Sequence, residues 1–388
     1  MALPHVPRLI SMSHDEVIAH EEIKLMCKQL LPSWSKENSD DISVTTISGG
    51  ISNLIVKVSS SGSHDPILFK VFGEKTELLV DREQELKTLI NLNALGFGAQ
   101  VLGTFGNGRI EKFLKSKTLE PEEMGHVLYV PCIAHKLRKF HNIPTAGKPT
   151  LWATIFGWLD MASKLVFEDE RKQAKFSNID LIAMRHEIEV TKEACDAVMS
   201  PIVFSHNDLL SGNILVLETS SDAHSIGGLL DNMQFIDFEY AASGYRGYDI
   251  GNHFNEYAGF ECDYTRYPDS AAQRLFFKHY LGHCSCTSDT EATQCSVRES
   301  SPTAIQEGVD IDGVLSMELA KMEAEANLFS LASHMYWGVW SLIQARYSPI
   351  DFDYLEYSTT RWREYYKKKD KHFEQANTVF GLNKQTDS

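Results

Sequence analysis

Two short stretches carry side chains whose types and spacing can do chemistry. Residues 205–213 read SHNDLLSGN, and residues 235–239 read FIDFE. The first has the form H-x-D-x-x-x-x-N, with Asp208 followed by Asn213. That is the spacing of a phosphoryl-transfer loop, in which the Asp orients an acceptor hydroxyl and takes its proton while the Asn holds a magnesium ion. The second puts Asp237 at the end of an apolar run, where a carboxylate after a strand holds magnesium bridging the phosphates of ATP. Glu239 shares a face with Asp237 in an extended chain and can reach the metal through water. His206 reads as an orienter of the loop, because Asp208 is the better-placed proton acceptor. Singly, each acid has a plain alternative as a turn or cap residue. Together Asp208, Asn213 and Asp237 name a reaction class.

Upstream, Ser48-Gly49-Gly50-Ile51-Ser52-Asn53 separates two strand-like runs, as a phosphate-covering hairpin should. Gly50, Ser52 and Asn53 are its expected phosphate contacts. It is neither G-x-G-x-x-G nor a loop with a Walker lysine, and Gly-Gly is first of all a tight turn. Lys70 lies in ILFKVF. It is either an outward strand lysine or the cation that binds ATP phosphates and pairs with a helix acid, for which Glu85 is the candidate. Near the C-terminus, Trp337 and Trp340 are three apart and share a helix face, with Phe352, Tyr354 and Tyr357 following. Such a stripe serves as core, or as a set of faces for an ammonium group; both readings stand.

The elements around these residues fall into two kinds. Residues 43–47, 54–58 and 67–72 read as strands, a helix runs from about Leu79 to Ala94, and residues 101–105 and 109–113 form a hairpin through Gly106-Asn107-Gly108. A helix near residues 23–31 precedes them. From Glu120 onward helices dominate, one opening at Pro121-Glu122-Glu123 and others at about 151–165 and 180–199. Short strands at 214–217 and 233–236 flank the chemistry. The expected class is α+β: residues 1–118 as a β-rich N-terminal lobe with the phosphate hairpin, and residues 119–388 as a helical C-terminal lobe. Residues 284–311, rich in Ser, Thr, Cys and acids, read as an exposed insert.

A chain of 388 residues can bury one large core or two lobes. The formal charge of −16 argues against a nucleic-acid surface, which needs a basic stripe. Seven cysteines show no disulfide or zinc spacing, and reduced thiols in a cytoplasmic protein are expected. Neither a signal peptide nor an apolar run of membrane-spanning length is read. Oligomeric state is not written in the composition; a homodimer stays open.

In these residues and their order, the chain resembles the choline/ethanolamine kinase family. SGGISNLIVKV, SHNDLLSGNILVL, FIDFEYAASGYRGYDIGNHFNEYAG and ASHMYWGVWSLIQARYSPIDFDYLEY carry the likeness in family order from residue 48 to 357. Leu210, where choline kinases usually carry Gln, and Asn255-Glu256-Tyr257-Ala258-Gly259 after GNHF resemble the ethanolamine form, of plant type. The resemblance implies a protein-kinase-like two-lobed fold, ATP with Mg2+, and phosphorylation of ethanolamine at the entry to phosphatidylethanolamine synthesis, with a choline or dual-specificity kinase as the nearest alternative. A kinase-like pseudoenzyme scaffold is the rival from another class. By position, Asp208 becomes the catalytic aspartate, and Asn213 and Asp237 the metal residues. Tyr240, Glu256, Trp337, Trp340, Tyr354 and Tyr357 fall in the ammonium pocket, and Glu111 and Phe113 beside adenine. Family members often carry Arg where this chain has Lys70.

Overall fold

Alternation in the strands sets the first sheet. In Ile67–Phe72, Ile67, Phe69 and Val71 point to one face and Leu68, Lys70 and Phe72 to the other. A computed structural model describes residues 3–10, 16–47, 53–62, 64–73, 75–218, 226–283 and 311–382. The Gly50 and Ser52 expectations, and the insert up to residue 310, lie outside them. The chain divides into two units: Met1–Ser116 with Gln234–Glu239 and Tyr347–Asp351, and Lys117–Met233 with Tyr240–Arg346 and Phe352–Ser388.

The first unit holds strands β1 (His5–Val6), β2 (Ile42–Thr46), β3 (Asn53–Ser60), β4 (Ile67–Phe72), β5 (Val101–Phe105) and β6 (Gly108–Lys112), with helices α1 (Glu16–Leu30) and α2 (Arg82–Ala94). Sheet order is β1-β5-β6-β4-β3-β2. It is antiparallel except that β1 joins β5 in parallel, a strand too short to leave a sequence pattern. The Phe69 face packs with Val56, Val58 and Ile110 against Ile23, Met26 and Leu30 of α1, each buried side chain contributing about 1.5–3 kcal/mol. Gly108 starts β6 because a Cβ there would lie 2.2 Å from the Lys70 carbonyl oxygen. Asp81 caps α2 by accepting from the backbone of Glu83 and Gln84, so the helix begins at Arg82, later than the expected Leu79.

The second unit is mainly helical. Its elements are β7 (Ser116–Thr118), α3 (Tyr129–His141), α4 (Leu151–Ala162), α5 (Glu170–Ser177), α6 (Leu181–Val198), β8 (Ile202–Ser205), β9 (Ile214–Leu217), α7 (Ile226–Asn232), β10 (Met233–Phe235), β11 (Ala242–Tyr245), α8 (Arg246–Asn255), α9 (Ser270–Leu281), α10 (Ile311–Tyr347) and α11 (Tyr354–Phe380); Ser116 of β7, Gln234 and Phe235 of β10 and Tyr347 of α10 are counted with the first unit. Pro121–Glu123 forms a single 3-10 turn, not the helix expected there; α3 starts later, at Tyr129. β8 pairs antiparallel with β11. Among the described residues no helix is long and apolar enough to cross a membrane.

Helix α8 sits hard against α10 through two glycines one turn apart. A Cβ on Gly247 would meet Phe329 at 2.7 Å, and one on Gly251 the Ala326 carbonyl oxygen at 2.4 Å. Backbone cannot swing aside as a side chain can. Gly251→Ala is therefore expected to cost about 1–3 kcal/mol and to lower the thermal midpoint followed by circular dichroism. A variant melting with the wild type would contradict this packing.

Candidate active site

In the first unit, the polar face of β4 and β6 meets α2 and the segment after β10. Lys70 stands directly opposite Arg109 in the strand register. Like charges so placed repel, and acids answer them. Lys70 Nζ donates to Asp237 Oδ1 at 2.8 Å. Arg109 donates to Glu85 at 2.6 Å and to Glu111 at 2.5 Å. Arg82 bridges Glu85 at 2.7 Å and Glu239 at 2.9 Å, contacts Asn53 Oδ1 at 3.4 Å, and lies 4.2 Å over the Phe72 ring. The expected Lys70–Glu85 pair is thus corrected: Glu85 goes to two guanidinium groups, whose forks suit a carboxylate better than a point ammonium. Lys70 is buried and bonds Asp237, not outward-facing.

Asp237 itself has φ +60, a left-handed conformation costing about 1–2 kcal/mol. Its neighbour Phe238 is buried where Gly98 leaves room: a Cβ on Gly98 would lie 2.6 Å from the Phe238 ring. Oxygens of Glu85, Asp237 and Glu239 lie within 4.8 Å of one another. Burial raises the Glu239 pKa and the Asp237 charge raises it further, against the pull of Lys70 and Arg82. Burial also works to raise Glu85, yet Arg109, Lys70 and Arg82 hold it below the usual carboxylate range. An all-oxygen cluster of this kind fits a hard divalent cation such as Mg2+. Glu111 is committed to Arg109, and Phe113 lies under Lys57 Nζ at 4.7 Å.

In the second unit, the loop after β8 is held from behind by α8. Asp249, fully buried, accepts from the His206 backbone at 2.8 Å, the Asn207 backbone at 2.6 Å and the His141 ring at 2.8 Å. Asn207 takes φ +64, and its side chain donates to the Tyr240 carbonyl at 2.8 Å. His253 bonds the Leu209 carbonyl at 2.9 Å. On this bed Asp208 is half-buried, and its backbone N–H donates to His206 Nδ1 at 3.3 Å. Asn213 Nδ2 donates to the Asp208 carbonyl at 2.8 Å and to its carboxylate at 3.2 Å. The five-residue spacing thus closes into direct contact.

The expected ammonium pocket residues come from α10 (Trp337, Trp340), α11 (Tyr354, Tyr357), the segment before β11 (Tyr240) and the turn that follows α8 (Glu256). Trp337 and Trp340 pack edge to face at 5.4 Å, Tyr240 meets Trp337 at 5.4 Å, and Trp340 meets Tyr354 at 5.9 Å. Their polar tips are satisfied: Trp340 donates to the Tyr240 hydroxyl at 3.0 Å and Trp337 to Asn252 at 2.7 Å. Glu256, expected in the same pocket, is held by an arginine. Arg361 donates to it at 3.2 Å and to the Tyr357 hydroxyl at 3.2 Å. Burial raises the Glu256 pKa, and Arg361 opposes that rise.

Sequence reasoning missed Arg82, Arg109, Asp249 and Arg361. Arg109 and Glu111 alternate on one strand face, a legible signal; Arg361 follows Tyr357 at one helical turn. Nothing local marks Asp249, whose partners are about forty residues or more away.

A family model described as Choline/ethanolamine kinase matches residues 44–366. The chain is 38% identical over 349 residues to a probable ethanolamine kinase of Arabidopsis thaliana, covering 89% of this chain and 84% of that protein. It is 35% identical over 352 residues to probable ethanolamine kinase A of Dictyostelium discoideum, covering 89% and 90%. Its structure is similar to the ethanolamine kinase of Plasmodium vivax, with TM-score 0.76 at 27% identity over 92% of this chain and 90% of that one. A choline kinase from Cryptosporidium parvum, with TM-score 0.66 at 24% identity over 94% and 99%, shares the fold. The α+β kinase fold expected from the motifs is borne out.

Acid should expose the role of the buried groups. Burial works against the charge on Asp249, but His141 and the His206 region hold its pKa below the usual range. Its stabilising contribution is complete above about pH 4 and is lost as pH falls through the lower folded value. His253, lowered by burial to about 4, adds a loss as pH falls from about 6.5 toward that value. Asp249→Asn should lower stability at pH 7 by roughly 2–4 kcal/mol and flatten the dependence below pH 4. Urea unfolding across pH measures both, and an unchanged acid limb would contradict the assignment.

Proposed function

We propose that this chain, which belongs to the choline/ethanolamine kinase family, transfers the γ-phosphoryl group of ATP to the hydroxyl of ethanolamine, giving phosphoethanolamine at the entry to phosphatidylethanolamine synthesis. The observation that carries the reading is the Asp208–Asn213 contact, on a loop whose posture Asp249 fixes. Asp208 is the proposed catalytic residue: its carboxylate orients the ethanolamine hydroxyl and takes its proton as the oxygen attacks. Asn213 and Asp237 are the proposed Mg2+ ligands. The ion, when bound, neutralises charge on the phosphate oxygens.

Lys70, Asn53, Gly50 and Ser52 are proposed to bind ATP phosphates, and Glu85 to anchor Arg109 and Arg82. Glu111 and Phe113 are proposed to lie beside adenine. Tyr240, Trp337, Trp340, Tyr354 and Tyr357 offer ring faces to the ammonium, and Glu256 an oxygen for its N–H groups. Relatives named ethanolamine kinases support the choice of alcohol. The ring faces also suit choline, which makes dual specificity the second reading. Buried thiols at Cys27, Cys132 and Cys195 suit a reducing compartment, and we assign the enzyme to the cytoplasm.

Coupled ADP release with ethanolamine, its N-methylated forms and choline side by side is expected to give the highest kcat/KM with ethanolamine. Asp208→Asn and Asp237→Asn should each lower kcat on the order of a thousandfold or more without moving the thermal midpoint by more than a few degrees. Near-normal turnover in either purified variant would refute its role. No ADP release with any of these alcohols would favour a pseudoenzyme scaffold.

A further inference from the structure

We infer that Arg361 is a positioning residue for substrate selection: it fixes the Glu256 carboxylate so that one oxygen is presented as a directed acceptor, favouring a primary over a quaternary ammonium. This rests on the ethanolamine reading above. Arg361 is 1% exposed. Its guanidinium donates to Glu256 Oε1 at 3.2 Å, the Tyr357 hydroxyl at 3.2 Å, the Ser333 carbonyl at 3.3 Å and the Ser333 hydroxyl at 2.9 Å. Ser333 donates onward to Asn252 at 2.8 Å, which also receives the Trp337 indole at 2.7 Å. One chain of hydrogen bonds therefore runs from the carboxylate through the guanidinium to the aromatic wall. Glu256 Oε2 takes no hydrogen bond from the described residues.

The chemistry of the two ammonium types differs at that oxygen. A trimethylammonium has no N–H and is held by net negative charge and ring faces. A primary ammonium brings three donors. Pairing Glu256 with Arg361 cancels most of the net field while leaving a lone pair aimed in one direction. The pair thus weakens what a quaternary cation needs and keeps what a primary one uses. A site built to receive a hydrogen bond rejects analogues that lack the donor.

The test is kcat and KM for ethanolamine and choline in wild type, Arg361→Lys, Arg361→Met and Ser333→Ala. Arg361→Met should raise the ethanolamine KM roughly tenfold or more, with kcat changed far less and the choline KM unchanged or lower, so the selectivity ratio narrows by about tenfold. Arg361→Lys should restore part of that ratio. Ser333→Ala removes one anchor of the guanidinium and should narrow the ratio about threefold; it carries the test if Arg361→Met does not fold. Equal losses for both substrates, or an unchanged ratio in Ser333→Ala, would overturn the inference and leave Arg361 a structural ion pair. A wild type inactive on both alcohols would instead overturn the ethanolamine reading itself.

Discussion

Burying a carboxylate carries a penalty of several kcal/mol unless donors or cations meet it. That constraint organises the candidate site residues of each unit. Asp249 is met by two backbone N–H groups and an imidazole, and in being met it sets the path of the loop that carries Asp208. Glu256 is met by Arg361 and Glu85 by two arginines. In each case the acid is held where it is by its partner, so removing the partner disturbs position as well as charge.

The same constraint shows where charge is left over. Lys70, Arg82 and Arg109 stand among Glu85, Glu111, Asp237 and Glu239, three cations among four acids. Glu239 answers the imbalance with a raised pKa, first from burial and then from Asp237. A group inclined to keep its proton beside two other carboxylates is one that a divalent cation would relieve. Glu256 differs, since its charge is already cancelled by Arg361 and what it retains is direction.

Legibility in the sequence followed the range of the interactions. Strands of the first sheet were readable from their alternation, and the Asp208–Asn213 contact from its spacing, because both are local. The helix at Arg82 was displaced by its Asp81 cap, and the Pro121 turn stayed a turn; both are matters of a few hydrogen bonds at an element end. Glu85 is the helix acid that the kinase pattern offers to Lys70, yet Lys70 bonds Asp237, 167 residues away, through geometry that no sequence window displays, and Glu85 goes to Arg109 and Arg82. The spacing of Arg361 one helical turn after Tyr357 is a weak signal, because an arginine among helical polar residues reads as solvent-facing until the fold buries it. The grouping of Trp337 and Trp340 on one helix face is legible from their spacing, but not the use of both indole N–H groups inside the protein.

On this account the surplus carboxylate charge around Asp237 takes a divalent cation. Titration of Mn2+, read by electron paramagnetic resonance in the presence of ADP, addresses it without relying on turnover. Wild-type protein should bind the ion, and Asp237→Asn should weaken binding by roughly tenfold or more. Equal affinity in the two proteins would contradict the claim.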